Sequence, residues 1–204
     1  MSSHRTPQER DRLIREHRDA IDRLETEDRE SGPDEWPPQG FYLIWHLVVG
    51  ITLGGLGALV SLAFNVIGAP LFGEPALKLI RVYLTFPMGA RALEAGQGVL
   101  LFVGSLLYMI TGAIYGILFH LMMRLGFREA SAGKRFIVAT VFGLGIWIFN
   151  FYLVLSWLQP MLLGDNWIVR MVPWWVAAST HLTFAWAMLL GESWGRFEPE
   201  QGRA

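Results

Sequence analysis

Phe41–Leu71 reads FYLIWHLVVGITLGGLGALVSLAFNVIGAPL, and no residue from 36 to 73 carries a formal charge. A helix needs about 20 apolar residues to cross the hydrocarbon core of a bilayer. This stretch is long enough to cross with turns to spare, and three more uncharged stretches follow it. The pattern predicts an all-α integral membrane protein. Its core is a four-transmembrane-helix bundle, with spans at about 41–69, 97–123, 136–158 and 172–191.

Composition agrees with that assignment. Of 204 residues, 52% are hydrophobic and 17% charged, and the charges crowd into the first thirty-five positions. A bilayer selects such segregation, because its core penalises an exposed ionised side chain by roughly 2.5–3.5 kcal/mol on insertion scales. Residues 1–35 therefore form a charged cytoplasmic tail, and 36–204 the membrane domain. A net charge of -1 offers no basic face for displacing phosphate counterions, so a nucleic-acid partner is not expected. Cysteine is absent, which removes disulfides, thiolate nucleophiles and Cys-ligated metals. The amino-terminal forty residues are polar and show no apolar signal-peptide core.

The tail opens on Thr6-Pro7-Gln8-Glu9, a helix start with Thr6 as cap and Glu9 at the capping-box position. Leu13, Ile14, Ile21 and Leu24 then recur at helical spacing as a thin apolar stripe suited to docking. The run Glu30-Ser31-Gly32-Pro33-Asp34 ends it, and Trp36-Pro37-Pro38 stiffens the approach to the first span. Between spans one and two, residues 72–96 are too polar to cross. Leu77, Ile80, Tyr83 and Leu84 fall on one face with Lys78 and Arg81 beside them, predicting an interfacial helix. The alternative is a re-entrant half-span closing on Pro87-Met88-Gly89, with protein covering its broken backbone. Pro160 is expected to end span three, leaving 159–173 as a short external turn whose polar needs Asp165 and Arg170 satisfy.

Four spans put both termini on one side. That side carries thirteen Lys and Arg against four on the other, including the cluster Arg124, Arg128, Lys134 and Arg135 between spans two and three. The positive-inside rule then places both termini in the cytoplasm of a multi-pass inner-membrane protein.

Candidate functional residues are few. His46 and His120 sit near the cytoplasmic ends of their spans, at similar depth. Two histidines on different helices are the minimum for bis-imidazole haem ligation, and a quinone or lipid headgroup contact is the other use of such a pair. A structural hydrogen bond to a neighbouring helix is the plain alternative. Thr52, Thr111 and His181 fall at comparable depth with Asn150 a turn or two away, so a polar cluster inside the membrane is feasible. Asn65 reads as a cap or an interfacial group. Gly50, Gly54 and Gly57, and Gly112 and Gly116, recur at three- or four-residue spacing and predict close helix packing. GGLG is not a phosphate loop, since it lies within an apolar helix and no lysine follows. No paired carboxylates, H-E-x-x-H or serine–histidine–acid pattern occurs at membrane depth, so the sequence does not point to an enzyme.

Three short stretches, GITLGGLG at 50–57, TGAIYG at 111–116 and HLTFAWAMLLG at 181–191, resemble small bacterial four-helix inner-membrane proteins of the YagU-like kind. The resemblance covers about residues 40–192 and implies the fold class, with His181 as the matching polar landmark. Ala185 stands where glycine is expected, and the charged tail is an addition. The functional expectation is an accessory or assembly subunit of an integral-membrane complex, joined to a membrane partner or to its own copies. The alternatives are a haem- or quinone-associated redox component using His46 and His120, and a small transporter or channel.

Overall fold

The computed structural model describes residues 7–30 and 40–192, and every regular element among them is helical, with no strand. Thr6, the 31–39 segment with Trp36-Pro37-Pro38, and Trp194 lie outside the described residues. The chain divides into two units, Met1–Ile44 and Trp45–Ala204. In the first, helix α1 (Pro7–Glu30) carries an Arg12–Glu16 pair one turn apart, and Ile14, Ile21 and Leu24 of its apolar stripe are exposed.

Helix α2 (Phe41–Leu71) continues from the first unit into the second. It is followed by α3 (Lys78–Tyr83), α4 (Thr85–Met88), a 3-10 turn (Gly89–Glu94), α5 (Gln97–Gly126), α6 (Ala132–Leu163), α7 (Trp167–Met171) and α8 (Trp174–Glu192). Helices α2, α5 and α6 have 31, 30 and 32 residues and are long and apolar enough to cross a membrane. At 1.5 Å per residue each exceeds the roughly 30 Å hydrocarbon thickness. Helix α8 is shorter, 19 residues, and less apolar, because Ser179, Thr180, His181 and Thr183 follow one another along it.

Why the elements begin and end where they do is local chemistry. Ser131 is extended (φ -60°, ψ 156°) and its hydroxyl accepts the Lys134 N–H, so α6 starts at Ala132, before the uncharged stretch begins. Pro160 does not end α6. The helix loosens at Ser156–Trp157 and a last segment, Leu158–Leu163, restarts with Pro160 in its first turn, where no N–H is needed. Gly164 (φ 87°) then closes it in the left-handed conformation. Two π-helical segments interrupt the long helices, Leu100–Gly104 in α5 and Phe149–Leu155 in α6.

The small residues set the packing. A Cβ on Gly54 would stand 2.2 Å from the Gly112 carbonyl oxygen, and one on Gly116 would stand 2.3 Å from that of Gly50. Helices α2 and α5 thus meet backbone to backbone, the contact that a small-residue stripe permits. Gly57 serves a different neighbour: its α-carbon faces Phe184 and Met188 of α8 at 2.9 Å from a built Cβ. Helix α6 packs most extensively on α8. Arg135 meets Glu192, Thr140 meets Trp186 and Gly143 meets His181 and Ala185, so the two run antiparallel along the length of α8.

The 72–96 connection is not one interfacial helix. Ile80 and Leu84 are buried with Ala92 and Leu100, while Val82 is buried with Phe151, Ile168 and Val172. Opposite sides of α3 are thus both covered, which a helix lying on lipid would not show. Arg81 donates through Nη1 to the Leu93 and Ala95 carbonyls, at 2.9 and 3.0 Å, closing the end of the 3-10 turn.

One buried side chain ties this connection to the end of α6. Gln159 is fully buried; its Nε2 donates to Thr85 Oγ1 (3.0 Å) and its Oε1 accepts the Ile168 N–H (3.1 Å). Replacing Gln159 by Leu leaves the Ile168 N–H unpaired in an apolar site, while Thr85 keeps its own donation to the Val82 carbonyl, with an expected cost of about 1–3 kcal/mol. Thermal unfolding in detergent checks this, and an unchanged midpoint would show that the three groups are not coupled.

Candidate functional site

Between α3, α4, α5, α6 and α8 lies a cavity of about 270 Å³. Its walls are apolar and rich in rings, and no Asp, Glu, Lys or Arg lines it. Thr111 comes from α5, Asn150 from the π-helical part of α6 and His181 from α8. A π turn widens the helix by one residue and re-aims the side chains within it, which is why such turns recur at functional sites. Asn150 owes its place on the wall to that local geometry.

The polar groups on the wall are partly committed. Tyr83 donates to Thr111 Oγ1 at 2.6 Å, and Thr111 passes its own proton to the Leu107 carbonyl at 3.0 Å. Burial raises the Tyr83 hydroxyl above the ordinary tyrosine range, so it donates as a neutral phenol. Tyr115 donates to Asn150 Oδ1 at 2.6 Å, which leaves the Asn150 amide NH₂ without a partner among the described residues. His181 Nδ1 lies 2.7 Å from the Ala177 carbonyl, a pure acceptor. The proton must therefore be on Nδ1, and Nε2 is left as an acceptor with no partner among the described residues. Phe151 packs edge-on to this imidazole with ring centroids 6.3 Å apart.

Behind the wall a second layer fixes the first. Ser61 Oγ donates to the Ala58 carbonyl (3.1 Å), so across its 3.0 Å contact with Tyr108 the phenol is the donor. Asn65 Nδ2 donates to the Ser61 carbonyl and to Thr180 Oγ1, both at 2.8 Å. The single Thr180 proton has two acceptors, Val176 O at 2.7 Å and Asn65 Oδ1 at 3.2 Å, and the shorter contact decides for Val176. Asn65 is only 5% exposed, so it is an interhelical tie and not a cap or interfacial group.

Of the four residues expected to cluster at mid-membrane, Thr111, Asn150 and His181 share this cavity. Thr52 does not: it is exposed, and its hydroxyl returns to the Val48 carbonyl of its own helix at 2.8 Å. Tyr108, Tyr115 and Thr180, which sequence reasoning passed over, and Tyr83, which it placed on the face of an interfacial helix, complete the polar part of the wall. The available signal was the presence of hydroxyl side chains inside apolar stretches.

His46 and His120 are brought together elsewhere, His46 Nδ1 lying 3.0 Å from His120 Nε2. The shared proton makes this a direct hydrogen bond, and the buried Nδ1 of His120 has no partner among the described residues. Axial haem ligation puts the iron and its macrocycle between two imidazole nitrogens, which then stand about 4 Å apart at metal–nitrogen bonds of about 2 Å. Rings in direct contact do not fit that group. Among the described residues no three metal-ligating side chains gather at one point.

A third polar feature joins the ends of two helices. Arg135, near the start of α6, hydrogen-bonds Glu192 at the end of α8, and both are buried. Comparison with known proteins adds nothing to this picture: no family model, no curated protein and no solved structure matches the chain. The structure itself defines an all-helical chain with three helices able to cross a membrane, in keeping with a multi-pass membrane protein.

Proposed function

We propose that this is a four-span inner-membrane protein of the accessory class, which binds a small lipophilic molecule and has no catalysis of its own. Helix α8 is the fourth span in this reading. Its antiparallel run along α6 gives it that helix's depth, and the lysine and arginine asymmetry puts both termini in the cytoplasm. The observation that carries the binding role is the uncharged cavity with an uncommitted amide donor at Asn150 and an uncommitted acceptor at His181. Concave, mostly apolar sites with a few fixed polar groups are the usual form of small-molecule pockets.

Mass spectrometry of the intact particle, extracted from native membranes in a mild detergent, tests this. A reproducible small-molecule adduct on the chain is the expected result. A chain recovered repeatedly without any adduct would overturn the binding role.

A second reading, as a subunit that docks on another protein, is favoured by α1, whose Ile14, Ile21 and Leu24 are exposed. In that case stoichiometric partners appear in the same spectra and vanish when residues 1–30 are deleted. The glycines of the α2–α5 contact do not speak for it, because they are used within the chain.

A further inference from the structure

We infer that the cavity between α5, α6 and α8 takes a neutral, lipid-soluble molecule with a hydroxylated aromatic ring as its head, a hydroquinone or simple phenol. This inference rests on the cavity being a binding site, as proposed above. It goes further by naming the chemistry of the occupant.

Three observations narrow that chemistry. The wall holds no ionised residue, so a phosphate, carboxylate or ammonium head would lose its hydration without gaining a counter-charge. Its hydrogen-bonding capacity is small and of both kinds. The Asn150 amide offers a donor and His181 Nε2 an acceptor, while Tyr83 and Tyr115 have already spent their protons on Thr111 and Asn150. An oxygen that accepts one hydrogen bond and donates another, or two ring oxygens that divide those roles, matches this pair.

The third observation is the density of rings. Tyr83, Phe86, Tyr108, Tyr115, Phe151 and Phe184 all line the space. Aromatic side chains favour a flat partner through offset-stacked and edge-to-face contacts, worth more than their buried area alone. A flexible aliphatic alcohol would satisfy the two polar groups and gain nothing from the rings. A hydroxylated ring satisfies both.

The test uses the full chain in lipid nanodiscs and isothermal titration with three probes carrying the same decyl tail, under anaerobic conditions. These are decylhydroquinone, its dimethyl ether, and plain decanol. Decylhydroquinone is expected to bind about tenfold more tightly than its dimethyl ether, which has no proton for His181. It is also expected to exceed decanol by about tenfold, through the ring contacts.

Asn150→Leu and His181→Phe should each weaken decylhydroquinone binding by about tenfold, and His181→Phe should leave the dimethyl ether, which has no proton to donate there, less affected. Because such variants can disturb folding, the comparison among the three probes on the unaltered chain stands by itself. Equal affinity for decylhydroquinone and decanol would overturn the aromatic-head assignment while leaving the cavity as a binding site. Equal affinity for the hydroquinone and its ether would remove the role of His181 Nε2. Failure of every probe to bind the folded chain would overturn the binding role itself.

Discussion

Gly116→Ala is expected to cost about 3 kcal/mol or more, the upper part of the range for overpacked sites. The added methyl would lie 2.3 Å from the Gly50 carbonyl oxygen and 2.4 Å from the Gly54 α-carbon. Those are backbone atoms of a packed helix, so no rotamer change can make room. The two helices must separate, and dispersion contacts along their whole contact line weaken together. Gly145→Ala is the matched control. Gly145 also lies in a long helix, but nothing stands within 4 Å of its built Cβ, so the helix-propensity gain of up to about 1 kcal/mol is all that remains. Unfolding midpoints in the same detergent check both. If Gly116→Ala melts with the parent, α2 and α5 do not touch as described.

The second large effect belongs to the Arg135–Glu192 pair. Glu192→Ala leaves a buried guanidinium facing the space of its lost carboxylate, with an expected cost of about 3–5 kcal/mol. Arg135→Met takes the guanidinium from a carboxylate buried beside it and should also destabilise. Combining Arg135→Met with Glu192→Leu removes both charges, and such replacements are often neutral or stabilising. The double variant should therefore recover most of the loss. A double-mutant cycle on unfolding free energies measures the coupling. Additive losses would show that the two side chains are held by other groups. Since the pair joins the start of α6 to the end of α8, its loss should also loosen the antiparallel contact there.

The long helices were legible because hydropathy is a property of single stretches. The uncharged runs place α2, α5, α6 and α8 within a few residues of their observed limits. Differences at the ends come from groups that act across a turn, such as the Ser131 hydroxyl, or from the tolerance of a first turn for Pro160. The glycine spacing predicts close packing, but it does not say which helices meet. Gly54 finds α5, whereas Gly57, less than one turn away, finds α8.

Pairing across the fold was hidden for a different reason. Asn65 and Thr180 are separated by 115 positions, and Thr85 and Gln159 by 74. Nothing local to either residue names its partner. Thr111, Asn150 and His181 were recognisable as a group because depth along a span can be counted. Thr52 lies at a comparable depth but points outward from α2, and depth carries no information about direction. Glu192 reads from sequence as the polar end of a span. Its burial becomes visible only when α8 is laid antiparallel to α6.

The π-helical segment Phe149–Leu155 gives α6 two azimuthal phases. Residues up to Ile148 distribute their side chains around the axis on one count, and those beyond Leu155 resume on another, because the wider turn accommodates an additional residue. Loss of a single residue inside 149–155 would let the segment close into ordinary α turns while its two halves keep their bearings, so Arg135 would still face Glu192 and Gln159 would still face Thr85. What would go is the widened turn that sets Asn150 on the cavity wall. A chain of equal hydropathy and one residue shorter would thus keep its bundle and lose that wall.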